Sequence, residues 1–126
     1  MKLATWNVNS IRARHDAVLD WIARTQPDVL CMQETKVEDD DFPTDELLRL
    51  GYAVAMAGQK TYNGVAIVSR LPMTDVAIGL HDEPDAKDKR LIRATIEGEM
   101  PNLTGLAAHD KNLLALSSTH AARKGQ

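Results

Sequence analysis

The feature that most narrows the possible folds lies near the start of the chain. Leu3 to Val8 is a short apolar run of strand formers. Asn9-Ser10 interrupts it, and Ile11 to Arg24 follows with Ala17, Val18, Trp21 and Ile22 at helical spacing on one face. Pro27-Asp28 then punctuates, and Val29-Leu30-Cys31-Met32 is apolar at every position, as in a strand covered on both faces. Strand, helix and strand in this order make a βαβ unit, whose strands are parallel and usually adjacent. The residues just beyond the strands, Asn7 with Asn9 and Glu34 with Lys36, then emerge at one edge of a sheet, where ligands bind in sheets of this type.

The rest of the chain adds mainly strands. Glu38 to Asp41 is an acidic, solvated loop, and Pro43 to Leu50 is a short helix stopped by Gly51. Tyr52 to Met56, Gly64 to Ser69, Asp75 to Gly79 and Arg90 to Ile96 read as strands, with Asn63-Gly64 near the connection between the first two. All eight valines and all six isoleucines lie at or before Ile96, and no Phe, Tyr or Trp follows it. Beyond Glu97 the pattern predicts no strand, and a loose helix over Asp110 to Leu116 is the most it supports.

Composition excludes several classes. At 126 residues there is room for one domain. No apolar run approaches the ~20 residues of a membrane span, and Met1 to Asn7 has no secretory pattern, so the expected setting is cytoplasmic, away from membranes. Cys31 stands alone inside an apolar run and reads as a small buried hydrophobe. Fifteen Lys and Arg against 18 Asp and Glu give a net charge of −3, so the chain is not a uniformly basic nucleic-acid binder. That sum averages over carboxylates and cations concentrated in one place.

Glu34 is the residue with the clearest chemistry. A carboxylate at the ligand-binding edge can ligate a hard cation such as Mg²⁺, which takes oxygen donors and typically uses one or two protein carboxylates. Lys36 can keep that carboxylate ionised and oriented, and Asn7 can offer its amide to the metal or to a phosphate oxygen. A solvated glutamate and a turn-forming asparagine account for the same positions equally well.

The wording around these residues goes further. Thr5-Trp6-Asn7-Val8-Asn9-Ser10-Ile11-Arg12, Pro27-Asp28-Val29-Leu30-Cys31-Met32-Gln33-Glu34-Thr35-Lys36 and Gly58-Gln59-Lys60-Thr61-Tyr62-Asn63-Gly64-Val65-Ala66-Ile67 stand in this order. Together they closely resemble the exonuclease III family of apurinic/apyrimidinic (AP) endonucleases, within the endonuclease/exonuclease/phosphatase superfamily. The likeness continues through Ser69-Arg70 and Arg90-Leu91-Ile92 and covers residues 1–96. It implies an α/β chain forming part of a four-layered α/β sandwich, two sheets face to face with helices outside. It also implies hydrolysis of DNA phosphodiesters in base excision repair, at abasic sites and from 3′ ends of double-stranded DNA. The metal implied is divalent, Mg²⁺ with Mn²⁺ as the other candidate. By this resemblance Glu34 matches the metal-binding glutamate and Asn7 the active-site asparagine beside it. Asn9 and Lys36 match neighbours of the site, and Tyr62, Asn63, Gly64 and Arg90 match positions at the DNA-facing rim. For Asn63-Gly64 a turn needing positive φ fits equally well, and for Tyr62 and Arg90 a plain surface role.

The same resemblance sets a limit. The family's later motifs include a tyrosine before a Pro-Asn-Gly-like turn, an Asp-x-Asn pair that positions water, and a C-terminal Asp-His pair. Met100-Pro101-Asn102-Leu103 lacks the tyrosine, and His109-Asp110 runs in the reverse order. Residues 1–96 therefore read as the N-terminal part of an exonuclease III-like nuclease domain, and 97–126 as a divergent tail of shifted-frame or non-homologous origin. Three functions follow: the nuclease itself, a catalytically inactive fragment of it, and a superfamily phosphatase. Half of a two-sheet sandwich is also expected to leave an apolar sheet face uncovered and to self-associate through it.

Overall fold

The computed structural model describes residues 2–79 and 88–97 in full and strands 103–108 and 113–118 by their backbone. The βαβ unit is present. Strand β1 (Leu3–Asn7) and strand β2 (Val29–Gln33) are adjacent and parallel, joined by helix α1 (His15–Thr25), with Asn7 opposite Gln33. Helix α2 (Thr44–Arg49) leads to β3 (Ala53–Ala57), which pairs antiparallel with β4 (Val65–Ser69). The first sheet has the order β1-β2-β4-β3. A second, antiparallel sheet follows in the order β5 (Met73–Ile78), β6 (Leu91–Ile96), β7 (Leu103–Ala108) and β8 (Leu113–Ser118).

Alternation along the two central strands explains the layering. Every residue of β2 and β4 is buried, because successive side chains point to opposite faces and both faces are covered. Leu30, Met32, Ala66 and Val68 pack with Val18 and Ile22 of α1 and Leu47 of α2. Val29, Cys31, Val65 and Ile67 pack instead with Ile92, Ala94 and Ile96 of β6. The described residues thus form three layers, helices on sheet on sheet, of an α/β sandwich. Among them no helix is long and apolar enough to cross a membrane.

At the end of the sheet remote from Asn7, Asp28 accepts the Lys2 backbone N–H and an Arg70 Nη2 proton, each at 2.6 Å. These bonds hold its carboxyl below the usual range, the Lys2 N–H contributing most. They tie together the starts of β1 and β2 and the end of β4.

Four expectations are corrected. Helix α1 starts at His15, not Ile11, because the Ile11 N–H is taken by the Thr35 carbonyl (3.0 Å) and Ser10 has a φ of 86°, so 11–14 form turns first. Ala17 is exposed, while Leu19, on the other side of Val18, packs partly buried against the core. The chain beyond Glu97 carries two strands where none is expected, and β8 overlaps the helix expected over Asp110 to Leu116. A waiting partner edge outweighs weak propensity: β7 pairs along all of β6, and β8 along β7. Finally, the inner face of the first sheet is covered within this chain by the second sheet, so the uncovered face invoked for self-association is absent among the described residues. His81, His109 and His120 lie outside the described residues.

Candidate active site

Three loops meet where β1 and β2 end. The first continues from Asn7 and stays beside β2: Val8 N–H donates to Gln33 O (3.0 Å) and Ser10 N–H to Glu34 O (2.8 Å). The second, Glu34 to Val37, is held by the third, since Thr35 N–H donates to Gly64 O (3.1 Å) and Lys36 N–H to Asn63 O (3.0 Å). Gly64 has a φ of 90°, and a Cβ there would stand 2.2 Å from Thr35 Oγ1. Only glycine allows both the turn and this close approach. Gly64 N–H in turn donates to Lys89 O (2.9 Å), while Gln59 Oε1 accepts from Asn63 Nδ2 (3.1 Å) and from Lys89 N–H (2.9 Å). The lead-in to β6 is thereby fixed to the same edge.

The side chains close a polar network on this frame. Asn7 Nδ2 donates to Glu34 Oε2, and Asn7 Oδ1 accepts the Asn9 N–H at 3.1 Å. Lys36 Nζ donates to Asn9 Oδ1 (2.6 Å) and lies 3.6 Å from Glu34 Oε1. One carboxylate oxygen thus meets an amide donor and the other faces a cation, which fixes its plane. The Glu34 and Lys36 side chains keep 26% and 29% of their surface in solvent, so the network is ordered yet reachable.

Backbone strain concentrates here as well. Among the described residues eight non-glycine residues have positive φ, and six of them, Asn9, Ser10, Glu34, Lys36, Thr61 and Asn63, belong to these three loops. Each such conformation is costly for an L-residue, and strain of this kind gathers at sites where geometry has a use.

The structure therefore joins four of the residues singled out from sequence, Asn7, Asn9, Glu34 and Lys36, in one network. Asn63 and Gly64 serve it as scaffold, the Asn63 side chain being 7% exposed and turned to Gln59. Tyr62 is 67% exposed on the third loop. Arg90 follows Lys89, the residue that holds Gly64, and its guanidinium lies 4.0 Å from Asp88. Sequence reasoning passed over Thr35 and Gln59. Both stand inside the quoted motifs, and what hid them is that their work is to fasten loops. Cys31 is inert as expected, its thiol pushed up to about 12 by burial.

Glu34 offers the only kind of donor set the network provides, oxygen from one carboxylate and from amides. Among the described residues no group of three or more His, Cys, Asp or Glu could hold a metal ion. A single oriented carboxylate at an open edge suits Mg²⁺, which keeps several waters and takes further oxygens from substrate. The residues present fit that ion.

The sequence profile of the Endonuclease/Exonuclease/phosphatase family matches residues 4–124. The chain belongs to the endonuclease/exonuclease/phosphatase family. Within this family it is 36% identical over 104 residues to exodeoxyribonuclease III of Haemophilus influenzae, a match covering 82% of the chain and 39% of that protein. Among solved structures it resembles an AP endonuclease from Archaeoglobus fulgidus (TM-score 0.71, 51% identity, 78% of this chain and 38% of that one). It also resembles a 3′ phosphatase from Neisseria bound to a product DNA hairpin (TM-score 0.72, 47% identity, with the same coverage). The chain spans about two-fifths of the length of these relatives.

Proposed function

We propose that this family member carries the metal- and phosphate-holding side of an exonuclease III-type nuclease. Its substrate would be the phosphodiester bonds of double-stranded DNA, at abasic sites and 3′ ends, in base excision repair. The observation that carries this reading is the Asn7–Glu34 bond at the parallel-strand edge, with Lys36 on the other carboxylate oxygen. Glu34, with the Asn7 amide beside it, would hold Mg²⁺ or Mn²⁺, which when bound polarises a phosphoryl oxygen. The protein's own part is positional. Asn7 fixes the plane of the Glu34 carboxylate, Lys36 faces its other oxygen, and Gly64 lets the third loop close over Thr35. Tyr62 and Arg90 would meet the DNA at the rim.

Hydrolysis also needs a positioned water and a group to take its proton, and such effects are strongly interdependent. The Glu34 network has no general base of its own. We therefore expect weak Mg²⁺ binding that is lost in Glu34→Ala, and no detectable incision by this chain alone, as for an inactive fragment. Calorimetric titration of Mg²⁺, and incubation of purified protein with an abasic duplex and Mg²⁺, test the two halves. Unaltered Mg²⁺ binding in Glu34→Ala overturns the metal role. Incision that vanishes in Glu34→Ala would show that the chain, or two copies of it, supplies the missing groups. The likeness to a 3′ phosphatase makes a duplex bearing a 3′ phosphate the second substrate, and release of phosphate without strand cleavage would favour the phosphatase reading.

A further inference from the structure

Just outside the Glu34 network lies a cavity of about 270 Å³ whose walls include Arg12, Lys36, Lys60, Thr61, Glu38 and Asp41. Three cations and two carboxylates share it. Lys36 is committed to Asn9 and Glu34, whereas the Lys60 ammonium has no ion-pair partner among the described residues. Arg12 Nη2 lies 3.7 Å from Asp41 Oδ2, with the two side chains 75% and 58% exposed. Asp41 sits in a single 3₁₀ turn, Asp39–Asp41, which its backbone maintains by donating N–H to Glu38 O (2.9 Å). Its carboxylate has no partner other than Arg12 among the described residues, so the turn does not depend on it.

A guanidinium is a fork that matches phosphate oxygens as well as carboxylate oxygens. Beside an edge that holds a phosphodiester, the anion on Arg12 is therefore exchangeable. We propose that Asp41 is an internal counter-ion occupying the place of a backbone phosphate on Arg12, and that it lowers both the affinity and the salt sensitivity with which this chain takes DNA. The inference rests on the nuclease reading. When a phosphate displaces it, the Arg12–Asp41 pair must break, a step that salt favours by screening the pair. That offsets part of the counterion release at the phosphate, so the contact is less sensitive to salt than one made by an unpaired guanidinium.

The test is binding of the full chain to a fluorescently labelled DNA duplex in EDTA, between about 50 and 200 mM salt. Asp41→Asn should tighten binding about two- to five-fold at the low end, the range an exposed pair can supply. It should also steepen the plot of log K against log salt, by less than the roughly 0.9 that a whole additional phosphate contact would give. In an Arg12→Gln background the same change should do neither. Asp40→Asn alters net charge equally but removes a carboxylate with no ion-pair partner among the described residues, so it should have the smaller effect. Equal effects of Asp40→Asn and Asp41→Asn, or an Asp41→Asn effect that survives Arg12→Gln, would reduce the phenomenon to net charge and overturn the proposal. Binding by the wild type with affinity and slope unchanged in Asp41→Asn overturns this inference alone. Absence of binding by every variant at the lowest salt overturns the nuclease reading with it.

Discussion

Thr61 shows most sharply what the site does to individual residues. A β-branched side chain at a φ of 72° is a conformational outlier, worth roughly 1–2 kcal/mol of strain for an L-residue. Thr61→Gly removes that strain at the cost of a more flexible unfolded chain, so a net gain of up to about 1 kcal/mol is expected in chemical denaturation. Gly64→Ala should do the reverse. Its Cβ meets Thr35 Oγ1 at 2.2 Å and its φ is 90°, so a loss of roughly 2–3 kcal/mol is expected, together with weaker Mg²⁺ binding because Thr35 adjoins Glu34. A destabilised Gly64→Ala that keeps its metal affinity would uncouple the third loop from the site. At this scale the convergence of Asn7 and Glu34 was legible, because a βαβ unit delivers both strand ends to one edge. The positive φ of Glu34 and Lys36 was not. Glycine marks such turns in a sequence, and glutamate and lysine do not, so only the backbone reveals them.

Helices α1 and α2 are joined by one ionic contact. His15 donates from Nε2 to Glu46 Oε2 (2.6 Å) and from Nδ1 to Asp16 Oδ1 (2.8 Å), which requires the doubly protonated ring. These bonds, that to Asp16 first, raise the His15 pKa above 6.5, and the His15 bond lowers that of Glu46 below 4.5. A raised histidine stabilises fully below 6.5 and ceases to do so as pH climbs through its folded value. A lowered glutamate stabilises above 4.5 and ceases to do so as pH falls through its folded value. The contact is therefore complete from about pH 4.5 to 6.5 and fades above. Both side chains are more than one-third exposed, so the effect is small and weakens with salt. Melting temperatures from pH 5 to 9 should fall less in His15→Gln than in the wild type, and parallel curves would remove the contact from the stability of the chain. The helices and the early strands were legible from apolar spacing. The start of α1 was displaced because the Ile11 N–H bonds to a carbonyl from another loop, a partner that no local pattern reveals.

In the molecule as a whole, the second sheet covers the face that an isolated half-sandwich would expose. Strand β7 lies against β2 and β4 as well as pairing with β6. Truncation after Glu97 should uncover apolar surface near Val29, Cys31 and Ile67 at about 25 cal/mol for each Å². We expect the truncated chain to lose its cooperative thermal transition and to bind a hydrophobic dye, and an unchanged transition would mean that β7 and β8 are dispensable. The layer order was legible from β2 and β4, whose unbroken apolar runs demand cover on both sides. The last two strands were not, since a sequence poor in β-branched residues is drawn into a sheet by the open edge it meets.

Cys31, the chain's only thiol, sits on the central strand β2 facing the second sheet, with 1% of its surface exposed. A sulfur so placed is a built-in gauge of how often the two sheets part. While the sheets are together an alkylating reagent finds neither access nor thiolate, so label accumulates on this atom only as the sandwich opens.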